Sequence, residues 1–173
     1  MEQTKNFLNK EVAQQKLHRL ALEIAENLSG DDAPLILIGI RNSGMVVAEK
    51  IGAFLQPYIT TPLEIISIAF DKNVPKEITL SKEVDFNDKN VLIIEDIVDT
   101  GLTMNYLMTS LKARKPKKIR NTALLLKPDA LKEPCAVDFV GFEIGNEFVV
   151  GYGLGFQGYY RNLPYVARVQ NMN

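Results

Sequence analysis

Several things are scarce in this sequence. Of its 173 residues one is cysteine and one is histidine, and the formal net charge is −1. The single cysteine, Cys135, excludes an intrachain disulfide and a thiolate metal cluster; it reads as a small hydrophobe in a reducing compartment. The single histidine, His18, has no second imidazole with which to share a metal, and it reads as a surface residue of the first helix. Near-neutral charge gives no general pull towards nucleic acid or an anionic membrane. Any phosphate site must therefore be local, built from backbone amides and a few cations. No stretch approaches the roughly 20 apolar residues that span a bilayer, and no apolar run follows Met1-Glu2-Gln3-Thr4-Lys5 as it would in a secretory signal. A cytoplasmic protein without a membrane partner is expected. Internal repeats, low-complexity tracts and linkers are also missing, so residues 1–173 read as one domain around one core.

What is present is an alternation of two periods. Ala13, Leu17, Leu20, Ala21, Ile24 and Leu28 recur at helical spacing, with Asn9 as N-cap and Ser29-Gly30-Asp31-Asp32 as the stop. Leu35 to Ile40 is a continuous apolar run, the mark of a strand covered on both faces. After Asn42-Ser43-Gly44 a second helix is predicted to about Gln56, with Val47, Ile51 and Leu55 on one face. Strands are predicted at Leu63 to Phe70, Ile78 to Leu80, Val91 to Ile94, Ile119 to Leu126, Val137 to Ile144 and Phe148 to Val150. A third helix is predicted from Thr103 to about Arg114, with Met104, Leu107, Met108 and Leu111 inward. This order implies an α/β domain with a largely parallel sheet.

The stretch from Val91 to Thr103, VLIIEDIVDTGLT, carries the chemistry. A buried strand delivers Glu95 and Asp96, then Asp99, then a Thr-Gly-x-Thr turn that opens a helix. Ligands of open parallel sheets gather where strands end and helices begin. Amides at that helix N-terminus, with the Thr100 and Thr103 hydroxyls, suit a phosphate monoester. Neighbouring carboxylates accept hydrogen bonds from sugar hydroxyls. Taken singly, each acid could merely end a strand or cap a helix. Taken together, the parts describe a sugar phosphate, with hydroxyl donors or a divalent cation between the carboxylates and the phosphate.

VLIIEDIVDTGLT resembles the motif by which type I phosphoribosyltransferases bind 5-phosphoribosyl-1-pyrophosphate (PRPP). The resemblance implies a Rossmann-like fold with a small hood. It makes Glu95 and Asp96 ligands of the ribose hydroxyls and of Mg²⁺. It makes Asp99, Thr100, Gly101, Leu102 and Thr103 the 5-phosphate loop, and Asp99 the general base. Upstream, Gly39-Ile40-Arg41-Asn42-Ser43-Gly44 resembles the family's pyrophosphate loop, in which a cis non-proline peptide turns amides towards the ligand; Arg41 and Asn42 would contribute there.

The C-terminal segments VDFVGFEI, FVVGYGL and YRNLPY are similar to those of hypoxanthine-guanine phosphoribosyltransferases. By that match Lys127 reads a purine 6-oxo group, Phe148 stacks on the base, the Val149 backbone meets the base edge, and Arg161 reaches the pyrophosphate. The family also implies a homodimer or homotetramer. Some positions depart from its pattern. Gly155 stands for the usual Asp that helps bind magnesium, Asn146 for another acid, and Leu102 for a frequent Lys or Arg. Residues 71 to 84, a polar stretch that could close over the site, lack the usual Ser-Tyr pair. Two other readings stay open. The N-terminal half resembles the uracil phosphoribosyltransferase that regulates pyrimidine operons by binding RNA, though near-neutral charge speaks against RNA. A PRPP or nucleotide sensor without turnover would also fit Gly155.

Overall fold

The computed structural model describes residues 3–70 and 78–170. In chain order its elements are β1 (Gln3–Leu8), α1 (Lys10–Asn27), β2 (Leu35–Ile40), α2 (Ser43–Leu55), β3 (Leu63–Phe70), β4 (Ile78–Leu80), β5 (Asn90–Val98), α3 (Leu102–Lys112), β6 (Lys118–Leu126), β7 (Phe139–Glu143), β8 (Val149–Val150) and β9 (Val166–Gln170). Short 3₁₀ turns follow α2 and β6.

Helix α1 forms where the periodicity puts it. The Asn9 side chain accepts a hydrogen bond from the Val12 amide at 2.8 Å, which satisfies one of the helix's orphan donors. Its apolar stripe, Ala13, Leu17, Leu20, Ala21 and Ile24, is buried. His18 sits half-exposed beside this stripe, at the edge of the surface face. Its ring stacks on Phe54 with centroids 4.9 Å apart, and Nε2 lies 3.1 Å from the Tyr58 hydroxyl. An imidazole that can cover an aromatic ring and still reach a hydroxyl gains more at such an edge than in water. His18 therefore helps to pack α1 against the end of α2.

All six residues of β2 are buried, and alternation sends them to two cores. Leu35 and Leu37 join α1 and α2 on one face, together with Leu92 and Ile94 of β5. Ile36, Ile38 and Ile40 face Met104, Leu107 and Leu111 of α3 on the other. Each fully buried Leu or Ile contributes about 1.5–3 kcal/mol, so a sheet covered on both sides outlasts its polar loops. Met108, expected inward, is half-buried against this second core.

The main sheet has the order β4-β3-β2-β5-β6-β7 and is parallel except for β4, which runs antiparallel to β3. The chain moves outward from β2 to β3 and then restarts on the opposite side of β2 with β5. That reversal is a topological switch point, the usual crevice of open α/β sheets. Register makes the crevice concrete. β2 pairs with β5 only as far as Gly39↔Ile94, whereas β5 stays paired with β6 through Val98↔Leu126. From Glu95 onward β5 has therefore left β2. Gly44 seats the intervening loop, because a Cβ there would stand 2.8 Å from the Ile94 carbonyl oxygen.

β1, β9 and β8 form a separate antiparallel sheet of three strands, in that order. The sequence did not suggest β1 or β9. β7 and β8 are each shorter than expected, while β5 runs four residues further, to Val98 rather than Ile94. The expected closing segment 71–84 lies partly outside the described residues; within it, Ile78–Leu80 forms β4 as expected.

Candidate active site

The loop after β2 and the loop after β5 meet across the crevice and enclose a cleft of about 380 Å³. Arg41, Glu95, Asp96, Asp99, Thr100, Gly101 and Thr103 all line it, so seven of the residues singled out in the sequence converge. Both acids of the strand remain within β5, one turn of the pleat apart. Asp96 is 3% exposed, and its Oδ2 atom is buried without a hydrogen-bond partner among the described residues. A buried carboxylate oxygen left unpaired is costly, and here it borders the cleft, where a hydroxyl or a cation would satisfy it. Glu95 is half-buried, and its Oε1 accepts a long hydrogen bond of 3.2 Å from the Asp96 amide.

The loop after β5 takes its shape from Gly101. This residue caps α3 with φ 81°, a left-handed conformation natural to glycine. Its bare Cα also faces Cys135, whose Cβ would lie 2.8 Å from an added Cβ. Cys135 thus backs the loop from the core side, and burial raises its thiol pKa, as befits an unreactive packing residue. No acid occupies the first turn of α3, so the positive end of the helix faces the cleft without a side-chain counter-charge from that turn.

Across the cleft, the Arg41–Asn42 peptide is cis, and the Arg41 amide donates to the Ile68 carbonyl at 2.8 Å. Asn42 is exposed and stands next to the cleft wall rather than in it. Lys127 is buried, its side chain 11% exposed, and Nζ lies 3.7 Å from Asp99 Oδ2. That pair connects the end of β6 to the loop after β5.

Other predicted residues are placed differently. Leu102 is 44% exposed and lies on a neighbouring groove with Phe70 and Tyr106. Phe148 is half-exposed and meets Phe156 edge-on, with centroids 5.5 Å apart. Val149 is buried, paired with Arg168 of β9. Arg161 is turned onto the Gly153 carbonyl, to which Nη1 donates at 2.8 Å. None of these four lies in the cleft wall. Ser43, Phe70 and Leu154 also line the cleft, although none of them was singled out as a site residue in the sequence. Phe70 ends a strand beside the switch point, and Leu154, which arrives from far along the chain, closes the FVVGYGL segment quoted above.

Among the described residues no group of three or more His, Cys, Asp or Glu side chains is placed to hold a metal. Two carboxylates with substrate oxygens are nevertheless a usual magnesium environment, and the unpartnered Asp96 oxygen fits such a site. No helix of the described residues is long and apolar enough to cross a membrane.

Comparison with known proteins agrees with this geometry. Residues 3–157 match the family model of the phosphoribosyl transferase domain. The chain is 34% identical to the hypoxanthine-guanine phosphoribosyltransferase of Bacillus subtilis over 94% of its length and 91% of the relative's. It is 32% identical to the hypoxanthine phosphoribosyltransferase of Salmonella typhimurium, over 89% and 88% of the two chains. Among solved structures, a hypoxanthine-guanine phosphoribosyltransferase from Bacillus anthracis superposes with a TM-score of 0.85 at 32% identity, covering 98% of this chain and all of its own. The hypoxanthine phosphoribosyltransferase of Trypanosoma cruzi gives 0.89 at 28% identity, over 95% of each chain. With its acid-lined cleft at the switch point and its likeness to these enzymes running almost end to end, the chain belongs to the phosphoribosyl transferase family.

Proposed function

We infer that this enzyme transfers the 5-phosphoribosyl group of PRPP to a 6-oxopurine, hypoxanthine or guanine, and releases pyrophosphate, a reaction of purine salvage. The observation that carries the reading is the cleft itself, which a paired-acid strand end and a glycine-turned helix N-terminus line together. Relatives matched over both halves of the chain are purine enzymes, so the purine reading extends upstream of the PRPP motif and replaces the pyrimidine-regulator alternative.

In this reading the ribose hydroxyls donate to Glu95 and Asp96, and the 5-phosphate accepts from the amides and hydroxyls of residues 99–103. The pyrophosphate lies towards Arg41. A base nitrogen attacks C1 as the C1–O bond to pyrophosphate breaks, and the base's N7 proton passes to Asp99. Positioning and charge stabilisation of an oxocarbenium-like transition state supply most of the acceleration. Lys127 and Asp99 explain the choice of base. A donor and an acceptor 3.7 Å apart match the O6 and N7–H edge of a 6-oxopurine. The Lys127 ammonium, having only donors, opposes the exocyclic amine of adenine. Glu95 and Asp96 would hold Mg²⁺, which when bound neutralises the pyrophosphate leaving group. Cytoplasmic location and a homodimeric or homotetrameric assembly belong to the same proposal.

The test is a panel of hypoxanthine, guanine, xanthine, adenine and uracil, each mixed with PRPP and Mg²⁺. Pyrophosphate release with hypoxanthine or guanine is expected, and Asp99→Asn should slow it about 10²–10⁴-fold. Binding of PRPP without product from any base would make the protein a sensor instead.

A further inference from the structure

Three consecutive residues after β8 take left-handed backbone: Gly151 (φ 92°), Tyr152 (φ 56°) and Gly153 (φ 95°). Glycine adopts this region freely and tyrosine does not, so the run is a strained one. It drives Tyr152 into the core that α1 and α2 share, where the side chain is 3% exposed. Nζ of Lys50, on α2, lies 5.8 Å from the centre of the Tyr152 ring. The run also lays Gly153 on Ser43, the first residue of α2. A Cβ on Gly153 would stand 2.9 Å from Ser43 Cα, 3.0 Å from its carbonyl oxygen and 3.1 Å from its Cβ. Two of these are backbone atoms, which cannot swing aside as the end of a side chain can.

Neither partner is loosely held. The Gly153 amide donates to the Arg161 carbonyl at 2.9 Å, and the Gly153 carbonyl accepts from Arg161 Nη1 at 2.8 Å. Gly151 and Leu154 exchange backbone hydrogen bonds of 2.8 and 3.0 Å around it, and the Tyr152 amide donates to the Leu163 carbonyl at 2.9 Å. The start of α2 is backed as closely, because the Cβ that Gly44 lacks would stand 2.8 Å from the Ile94 carbonyl oxygen of β5. Ser43-Gly44 is thus set against two backbones at once, β5 through Gly44 and the turn at 151–154 through Ser43. Ser43 and Leu154 both line the cleft, so the contact sets the spacing of two parts of its wall.

We propose that Gly153 is a positioning residue: its bare Cα is the seat of Ser43 and so fixes the loop after β2 for the pyrophosphate half of the substrate. The proposal rests on the PRPP reading above and adds the C-terminal element that holds this loop in place. Gly153 acts through Ser43 and touches no substrate itself. Its three closest approaches are all to Ser43, so a substituent there displaces the loop after β2 rather than the loop after β5.

The experiment measures binding of pyrophosphate and of ribose 5-phosphate by calorimetry, both with Mg²⁺. The sugar phosphate lacks the diphosphate and serves as the contrast. Gly158 supplies a control matched for strain: its φ is 82°, but an added Cβ would meet nothing within 4 Å. Gly153→Ala should weaken pyrophosphate about tenfold and ribose 5-phosphate by no more than about twofold, whereas Gly158→Ala leaves both within about twofold. Asparagine tolerates left-handed backbone better than alanine, so Gly153→Asn brings the same Cβ with less strain and carries the test should Gly153→Ala not fold. In the ligand-free protein the amide resonances of Ser43 and Gly44 should move in the Gly153 variant and hold in Gly158→Ala. Unmoved resonances, unchanged pyrophosphate affinity or equal losses for both ligands would each overturn the proposal. So would a selective loss of the same size in Gly158→Ala, which would make strain the cause. If the unaltered protein does not bind pyrophosphate, the PRPP reading falls and this proposal with it; if it does, the reading stands and the variants alone decide.

Discussion

Gly101 joins two demands at one position, a left-handed backbone and a missing Cβ against Cys135. Alanine there meets strain from φ and a clash with a packed side chain, which together cost about 1–3 kcal/mol. Gly101→Ala is expected to lower the urea midpoint and to abolish phosphate binding at the loop, both read on the same preparation. Adding Cys135→Gly should return part of the stability but not the binding, because the loop's amides depend on φ rather than on space. Other single residues show what could be read beforehand. Glu95, Asp96, Asp99 and Thr103 were legible because they fall within thirteen consecutive positions that share one strand–turn–helix. Arg161, expected at the pyrophosphate, lies off the cleft wall, and its contacts were not legible. Its hold on Gly153 depends on two turns whose closure no local pattern announces.

At the scale of elements, strands covered on both faces announced themselves, since burial on two sides requires an unbroken apolar run such as Leu35 to Ile40. β1 and β9 gave no such signal. β1 reads Gln-Thr-Lys-Asn-Phe-Leu, a largely polar strand that pairs with β9 alone. The loop between α1 and β2 was equally silent about its anchor, Asp31. Its carboxylate, 6% exposed, pairs with Lys117 at 2.8 Å and Lys118 at 3.2 Å at the start of β6. The Lys117 hydrogen bond, then that of the Ala33 amide, holds the Asp31 pKa well below the usual carboxylate range. A folded-state pKa that is depressed stabilises the native state above the unfolded value and loses that contribution as pH falls. Asp31→Asn should therefore be less stable than the unaltered chain at pH 7. The gap between their urea midpoints should close as pH drops below about 4 towards 2.

For the molecule as a whole, the small sheet ties the two ends of the chain together. β1 pairs with β9 from Gln3↔Gln170 to Leu8↔Val166, and β8 lies on the other side of β9. Residues 148–161, with Phe148 and Arg161, are therefore held between this sheet and the cleft. Removing residues 1–8 strips β9 of one partner and exposes an edge. The expected result is a Tm lower by about 5 °C or more, with nucleotide binding weakened further than binding of inorganic phosphate. The first is read by calorimetric melting and the second by titration; equal weakening of both ligands would mean that the small sheet supports the whole cleft rather than its base side.

The parting of β2 and β5 also explains where the chain changes character. Up to Ile94 the strand has a neighbour on each flank and is written Val-Leu-Ile-Ile; at Glu95 one neighbour is gone and the letters turn acidic. Strand β5 is thus an interior member of the sheet for its first half and one wall of the cleft for its second. The same covalent run that makes the core impermeable supplies, with no hinge or insertion, the shore on which a charged substrate can land.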